Sequence, residues 1–503
     1  MRLDPKKAEN PSQLFKHAAD LQRKGNLAAA EALYLRILKA RPDHFDALHL
    51  LGILRHQQGR YREALSSIGA ALKANPTCLP ALLNYAVVLQ ALNRPAEALA
   101  SYDRALAIKP GCAEALNNRG NALRDLNRAA EGLASFDKSL AIKPDCAEAL
   151  YNRGNALQDL DRTAEALASF DRALAIKPIY AKAINGRGNA LRNLDRTAEA
   201  LVSFDTALAV NRNDPGALYS RGNALQDLGR HAEALASYDK ALKANPDLAE
   251  AWFDRGGLLQ GMKRGEEAIN SYRQALAKGG DAEVIRYILA SLGAEPVPAA
   301  APKKFVSELF DQCSDRFEER LVGQLKYRAP DLLFDLVEHF VPLGNLDILD
   351  LGCGTGLVGA RLHPLARTLT GVDLSSNMLK IARRRQIYDD LICSELVGFL
   401  RKQTGSFDLA VAADVFIYIG DLSRVFHGVR AALRREGFFC FSVEASEVQD
   451  FVLRDTCRYA HSTAYIRKLA KDHGFALETM EPKVIREQEG RDVVGYLAML
   501  RTA

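Results

Sequence analysis

The pentapeptide "RGNAL" stands at residues 119–123, 153–157, 187–191 and 221–225. Each copy begins 34 residues after the one before, so Asn121, Asn155, Asn189 and Asn223 occupy one position of a repeated unit. Other positions keep the same step. Pro42, Pro76, Pro110, Pro144, Pro178 and Pro246 form one comb, with Arg212 in the remaining place. Gly25, Gly59, Asn93, Asn127, Asp161, Asp195 and Gly229 form a second, and small residues from Ala18 and Gly52 through Gly120 to Gly256 form a third.

This period describes a helical hairpin. Two amphipathic helices of about 14 residues meet at a turn that tolerates unusual backbone angles, and proline follows the second helix. Small residues let the two helices approach, and an aromatic in the second helix (Tyr102, Phe136, Phe170, Phe204, Tyr238, Tyr272) plugs the gap between hairpins. One hairpin cannot bury its apolar face alone, so successive hairpins stack. The pattern resembles the tetratricopeptide repeat and covers residues 9–278 as eight units. Trp252, the only tryptophan, shares a comb with Leu116, Leu150, Ile184 and Leu218 and is expected in the core.

The resemblance implies that the helix face carrying the four asparagines lines a concave groove. Two readings of them stand side by side. One is a solvated position copied by duplication. The other is a ladder that holds an extended protein or peptide by its backbone, because an amide side chain both donates and accepts. Ile53, Val87 and Gly257 break the ladder on either side.

Composition sets the background. The 503 residues are 48% hydrophobic and 26% charged, with a net charge of +5, an ordinary globular balance that does not point to nucleic acid. The start, "MRLDPKKAEN", has no signal-peptide core, and no apolar run reaches the roughly 18 residues of a bilayer span. A cytoplasmic location is the expectation. Cys78, Cys112 and Cys146 are one repeat position copied, and no Cys-x-x-Cys pair occurs, so all eight cysteines are read as reduced thiols with no metal.

After the repeats, residues 279–304 read as a capping helix, "AEVIRYILASLG", and a spacer, "AEPVPAAAPKK" (294–304). Beyond them the pattern changes. "LDILDLGC", "TLTGVDL", "DLICSE", "FDLAVAADV" and "FFCFSVE" are strand-like runs separated by helical ones, which argues a parallel sheet covered by helices. The first strand ends in "LDLGCGTGLVGA", a glycine-rich loop that brings backbone close to a nucleotide-like ligand. Asp350, two residues before Gly352, would repel a pyrophosphate and suits a ligand with an ammonium and a sulfonium. Asp373 closes the second strand 21 residues after Gly352, where a carboxylate can take both ribose hydroxyls.

"DLGCGTG" with "GVDLSSNML" resembles the class I S-adenosylmethionine-dependent methyltransferases over residues 305–503, which implies an α/β Rossmann-like domain with a mostly parallel seven-stranded sheet. The resemblance implies that Gly352, Cys353, Gly354 and Gly356 wrap the methionine moiety of S-adenosylmethionine. It implies that Asp373 and Leu374 hold the ribose end, that Glu395 and Leu396 flank the adenine, and that Asp414 sits beside the methyl group. The stretch 305–330 looks like a lid helix. If the acceptor carries a proton, a general base is needed, and His461, Tyr418, Asp414 and Glu444 are the candidates. Asn/Asp-Pro-Pro-Tyr, a mark of amino-methyltransferases, is missing after the fourth strand, where "DVFI" stands. The sequence therefore leaves a methyltransferase with an array that recruits its substrate, an adaptor that merely senses the cofactor, or a small-molecule methyltransferase localised by its repeats.

Overall fold

The computed structural model describes residues 11–313, 318, 326–342, 344–447, 450–488 and 491–503. It divides into two compact units, one ending at Pro246 and the other beginning at Asp247.

The first unit is a stack of helix pairs, from Pro11–Arg23 with Leu27–Ala40 to Pro215–Asp227 with His231–Ala244. The turn comb holds the conformation its residues allow: Gly25, Gly59, Asn93, Asn127, Asp161, Asp195 and Gly229 all have positive φ. There the Asn93 amide donates to the Gln90 carbonyl and the Arg94 amide to the Leu89 carbonyl, both at 2.9 Å, so the left-handed residue satisfies carbonyls left over at the helix end.

"RGNAL" can now be read residue by residue. Arg153 donates to Asp137 of the preceding repeat at 2.7 Å and to Ser169 of its own at 2.6 Å. The same strap recurs at Arg119, Arg187 and Arg221. Gly154 is required because a Cβ there would lie 2.5 Å from the Phe170 ring, and the same ring lies 2.8 Å from a Cβ on Gly186 of the next hairpin. Ala156 and Leu157 are fully buried. Four of the five letters thus build the stack, and only the asparagine is left over.

The second unit starts with the eighth hairpin, Ala249–Gly261 and Gly265–Ala277, whose turn residue Lys263 takes φ 60° although it is neither glycine nor asparagine. Trp252, expected in the core, is half-buried, with the Arg255 guanidinium 5.8 Å above its ring. Helix Ala282–Ser291 follows, within the stretch read above as a capping helix. The sheet comprises β1 (Leu346–Leu351), β2 (Ala366–Asp373), β3 (Asp390–Cys393), β4 (Phe407–Ala412), β5 (Leu433–Ala445), β6 (Phe451–Leu453), β7 (Tyr459–His461), β8 (Phe475–Gln488) and β9 (Arg491–Thr502). Its order is β3-β2-β1-β4-β5-β7-β6, with β9 antiparallel to β5 and β8 antiparallel to β9. The first five strands are parallel, as expected. The expected seven strands are nine among the described residues. The additions are β6 and β7, a hairpin of three-residue strands against the end of β5, too short to register as a period.

The segment 294–304, read above as a spacer, is instead a strap held along its length. The Gly420 and Asp421 amides donate to the Ala299 carbonyl at 2.8 and 2.9 Å, and the Ala301 amide donates to the Tyr418 carbonyl at 2.9 Å. Tyr459 donates to the Pro298 carbonyl at 2.7 Å, while Tyr287 of the capping helix donates to the Cys457 carbonyl at 2.7 Å. Its prolines keep it extended, but its carbonyls meet donors that Ala/Pro composition does not reveal. Of the expected lid, helix Lys303–Cys313 is described; residues 314–317 and 319–325 lie outside the described residues, and the next helix is Ala329–Phe340.

Candidate active site

The carboxyl ends of β1, β2, β3 and β4 open on a cavity of about 270 Å³. At its floor the Gly352 and Cys353 amides donate to the Val372 carbonyl at 2.7 and 3.1 Å, which fixes the glycine loop to β2. Gly352 has φ +68°, and a Cβ there would fall 2.3 Å from the Val415 side chain; Gly354, with φ +53°, faces open space. Asp373 at the end of β2 accepts from the Gly354 amide at 2.9 Å and the Ser375 amide at 2.8 Å, one on each oxygen. Burial pushes its carboxyl above the usual range against the pull of those amides. A carboxylate has further lone pairs, so each oxygen can still take a donor from a ligand.

The structure brings Gly352, Cys353, Gly354, Asp373, Leu374, Glu395, Leu396, Asp414 and Tyr418 together on this one wall. Val306 and Phe310 of the lid helix, Ala300, Ala301 and Lys303 of the strap, Thr355, Met378, Tyr327 and Arg458 also line it. The lid helix is tied down by Ser375, which donates to Asp311 at 2.5 Å. Gly356 lies off the wall and caps helix Leu357–Leu362 with φ 89°.

Other expected site residues stand differently. Asp350 is 1% exposed beneath the loop and not on the cavity wall; Tyr388 donates to it at 2.7 Å, and burial pushes its carboxyl up to about 7. Glu395 lines the cavity, but its oxygens accept the Val397 and Gly398 amides, both at 2.8 Å, so it caps the helix Leu396–Leu400.

Two of the candidate bases fail on position. His461 is fully buried away from the cavity, and its Nε2–H donates to the Ile419 and Gly420 carbonyls at 3.0 Å each. Burial holds its pKa down at about 4, and the ring stacks on Tyr465. It braces the loop that carries Tyr418. Glu444 is 3% exposed and off the wall, with Arg486 on one oxygen and Arg454 on the other at 3.0 Å. Tyr418 does line the cavity, but burial pushes its hydroxyl up to about 12, so at neutral pH it donates.

Sequence reasoning missed Tyr327, Arg458 and Arg486. None lies in a motif, and they reach the site from segments far apart in the chain. No local signal marks Arg486 either: it stands in the charged stretch "IREQEGRD" (485–492), where it reads as a surface cation.

A methyltransferase-domain model matches residues 349–439. Tetratricopeptide-repeat models match 15–77, 49–113, 83–147, 147–180, 215–248 and 249–277. The chain carries tetratricopeptide repeats followed by a methyltransferase domain. Curated relatives of that domain include a ubiquinone biosynthesis O-methyltransferase of Albidiferax ferrireducens, 25% identical over 130 residues, 24% of this chain and 50% of that protein. A malonyl-[acyl-carrier protein] O-methyltransferase of Bacillus cereus is 28% identical over 133 residues, 26% of this chain and 49% of that protein. The chain thus spans about half the length of these relatives. Among solved structures, a tetratricopeptide repeat protein from Parabacteroides merdae is 21% identical, with 47% of this chain and 93% of that one aligned at a TM-score of 0.42.

In the array, Asn121, Asn155, Asn189 and Asn223 are half-buried on the first helix of their repeats. Asn223 accepts from the Tyr238 hydroxyl at 2.6 Å. The other three stand in repeats whose plug is Phe136, Phe170 or Phe204, which has no hydroxyl, and none makes a side-chain hydrogen bond within the described residues. Among the described residues no helix is long and apolar enough to cross a membrane, and no His/Cys/Asp/Glu cluster could hold a metal.

Proposed function

We propose that the methyltransferase domain uses S-adenosylmethionine to methylate an oxygen acceptor, and that the repeat array captures an extended segment of a partner protein. The observation that carries the first half is Asp373, held at the end of β2 by two backbone amides and still able to accept from a ligand. The surroundings fit this cofactor. Gly354 leaves the space a side chain would fill, the Thr355 hydroxyl on the wall is buried without a partner, and Leu374, Met378 and Leu396 offer an apolar face to a purine. In this reading Gly352, Cys353, Gly354 and Thr355 take the amino-acid end, Asp373 the ribose, and Glu395 with Lys303 border the base. Asp350 acts from beneath, through Tyr388 and the loop. When bound, the cofactor supplies a methyl group on a positively charged sulfur; the chain's part is to align the acceptor and exclude water.

The oxygen acceptor is extended from the two relatives named above, both O-methyltransferases by name. By function we divide the chain at residues 278 and 304, although by contact it divides at 246. The unpartnered amides of Asn121, Asn155 and Asn189 support backbone capture by the groove, each bond contributing about 0.5–1.5 kcal/mol. A cytoplasmic setting belongs to the proposal, supported by the free thiols among the described cysteines. A second reading, a small-molecule acceptor, is favoured by the closure of the cavity under Val306 and Phe310.

Titration calorimetry with S-adenosylhomocysteine tests the first half. One site per chain, lost in Asp373→Ala, is the expected result; no heat from the wild-type chain would refute it.

A further inference from the structure

Asp414 follows β4 on the cavity wall, and its backbone is left-handed, with φ 56°. Aspartate enters that region more readily than most residues, as Asp161 and Asp195 do in the repeat turns. Its amide donates to the Ser442 hydroxyl at 2.8 Å, and its Oδ2 accepts from Arg486 Nη1 at 2.5 Å. The second oxygen, Oδ1, is buried and has no hydrogen-bond partner.

Arg486 is itself out of the ordinary. Its side chain is 1% exposed, and its other terminal nitrogen pairs with Glu444, which Arg454 also holds. A regular strand alternates its side chains between faces, yet both Ile485 and Arg486 are buried. The cause is a β-bulge between Val484 and Arg486 in the β8–β9 ladder. Bulges re-aim side chains and recur beside active sites. Buried ion pairs of this kind add little stability relative to apolar side chains. The chain therefore interrupts a strand and buries a guanidinium to fix a carboxylate, and the result is one unshared carboxylate oxygen beside the cavity.

We infer that Asp414 receives the proton of a hydroxyl acceptor, and that Arg486, with Glu444 behind it, is the positioning residue that holds Asp414 for this task. The inference rests on the methyltransferase reading and narrows its acceptor. The acceptor oxygen forms its bond to the methyl carbon as the sulfur–carbon bond breaks with its electron pair going to sulfur. The hydroxyl proton passes to Asp414 Oδ1, and S-adenosylhomocysteine and a methyl ether remain. A carboxylate acceptor is disfavoured, because it would have to approach the Asp414 charge in a poorly solvated pocket. Of the two cations that line this wall among the described residues, Arg458 is engaged with the Tyr418 hydroxyl and lies 4.0 Å from Glu444, and Lys303 lies 3.9 Å from Glu395. Tyr327 lines the same cavity, and burial, with the Asp414 charge nearby, raises its hydroxyl well above the ordinary value.

The test supplies the full-length protein with carbon-13 methyl S-adenosylmethionine and an extract of its own cells as the acceptor source. The chemical shift of the transferred methyl identifies the atom that bears it. An ether methyl is expected; an ester, N-methyl or S-methyl product overturns the inference without any variant being made. Asp414→Asn keeps the shape and is expected to lower transfer about a hundredfold or more, while S-adenosylhomocysteine binding by calorimetry stays within about threefold. Transfer by Asp414→Asn near the wild-type rate overturns the inference and leaves the methyltransferase reading intact. For the positioning role, Arg486→Lys is expected to recover part of the turnover lost in Arg486→Met, with KM moving less than kcat; equal rates in both variants would overturn that role. No transfer by the wild-type chain would remove the methyltransferase reading first, and this inference with it.

Discussion

The two halves of this chain assemble their functional surfaces in opposite ways. In the array the residues that build the stack recur at one interval, and the surface is made by copying. In the C-terminal unit the cavity takes residues from the strap, the lid, four strand ends and segments near residues 327 and 458. Repetition makes a surface legible and tolerant, since each copy contributes little. Convergence makes a site powerful and fragile, because no residue has a substitute.

Substitutions can break or sharpen that contrast. The largest effect is expected at Asp373. Two hydrogen bonds to a charged group are worth about 1.5–3 kcal/mol each, and about 1.4 kcal/mol is tenfold in affinity. Asp373→Ala should thus weaken S-adenosylhomocysteine at least about a hundredfold by calorimetry, with the melting of the array unchanged.

Next comes the strap. A fragment beginning at residue 303 lacks the Ala299 and Pro298 carbonyls, the Ala301 amide and Tyr287. At about 1 kcal/mol per bond, it should be a few kcal/mol less stable in urea than one beginning at 247. Equal stability would return the strap to the status of a spacer.

Within the array, Gly154→Ala presses a methyl into the Phe170 ring and should cost roughly 1–3 kcal/mol, seen as an early melting phase. The buried histidine gives a pH signature. The folded-state pKa of His461 is about 4, below its ordinary 6.5, so the unfolded chain binds the extra proton between those values. Its contribution is full above pH 6.5 and is lost as pH falls toward 4, at up to about 1.4 kcal/mol per pH unit. His461→Gln should flatten that acid limb in pH-dependent urea melts. The smallest stability effect is expected for Asn121, Asn155 and Asn189→Ala together, within about 0.5 kcal/mol per site. Their loss should show instead as weaker capture of an extended peptide, with cofactor affinity unmoved.

Much of this was written in the sequence, and the contrast explains which parts. The hairpins, their left-handed turns and the Gly–Phe contacts follow from periodic residues whose neighbours are a fixed distance away in the chain. The glycine loop and Asp373 were legible because strand, turn and helix are local. Asp350 and Glu395 have motif positions but structural partners, Tyr388 and the 397–398 amides, which a motif does not specify. His461 and Glu444 looked like bases because their chemistry is right; burial and arginine neighbours, set by β5, β7 and β8 coming together, decided otherwise. The β6–β7 hairpin, the strap's carbonyl partners and the bulge that turns Arg486 inward are long-range pairings, and none leaves a local trace.

The most direct test of the central claim is the structure of the full chain with S-adenosylhomocysteine. The account predicts one molecule in the cavity, its ribose hydroxyls on Asp373, its purine between Leu374 and Leu396, and its sulfur directed toward Asp414. Saturating ligand found elsewhere, or a cavity that excludes it, would contradict the account.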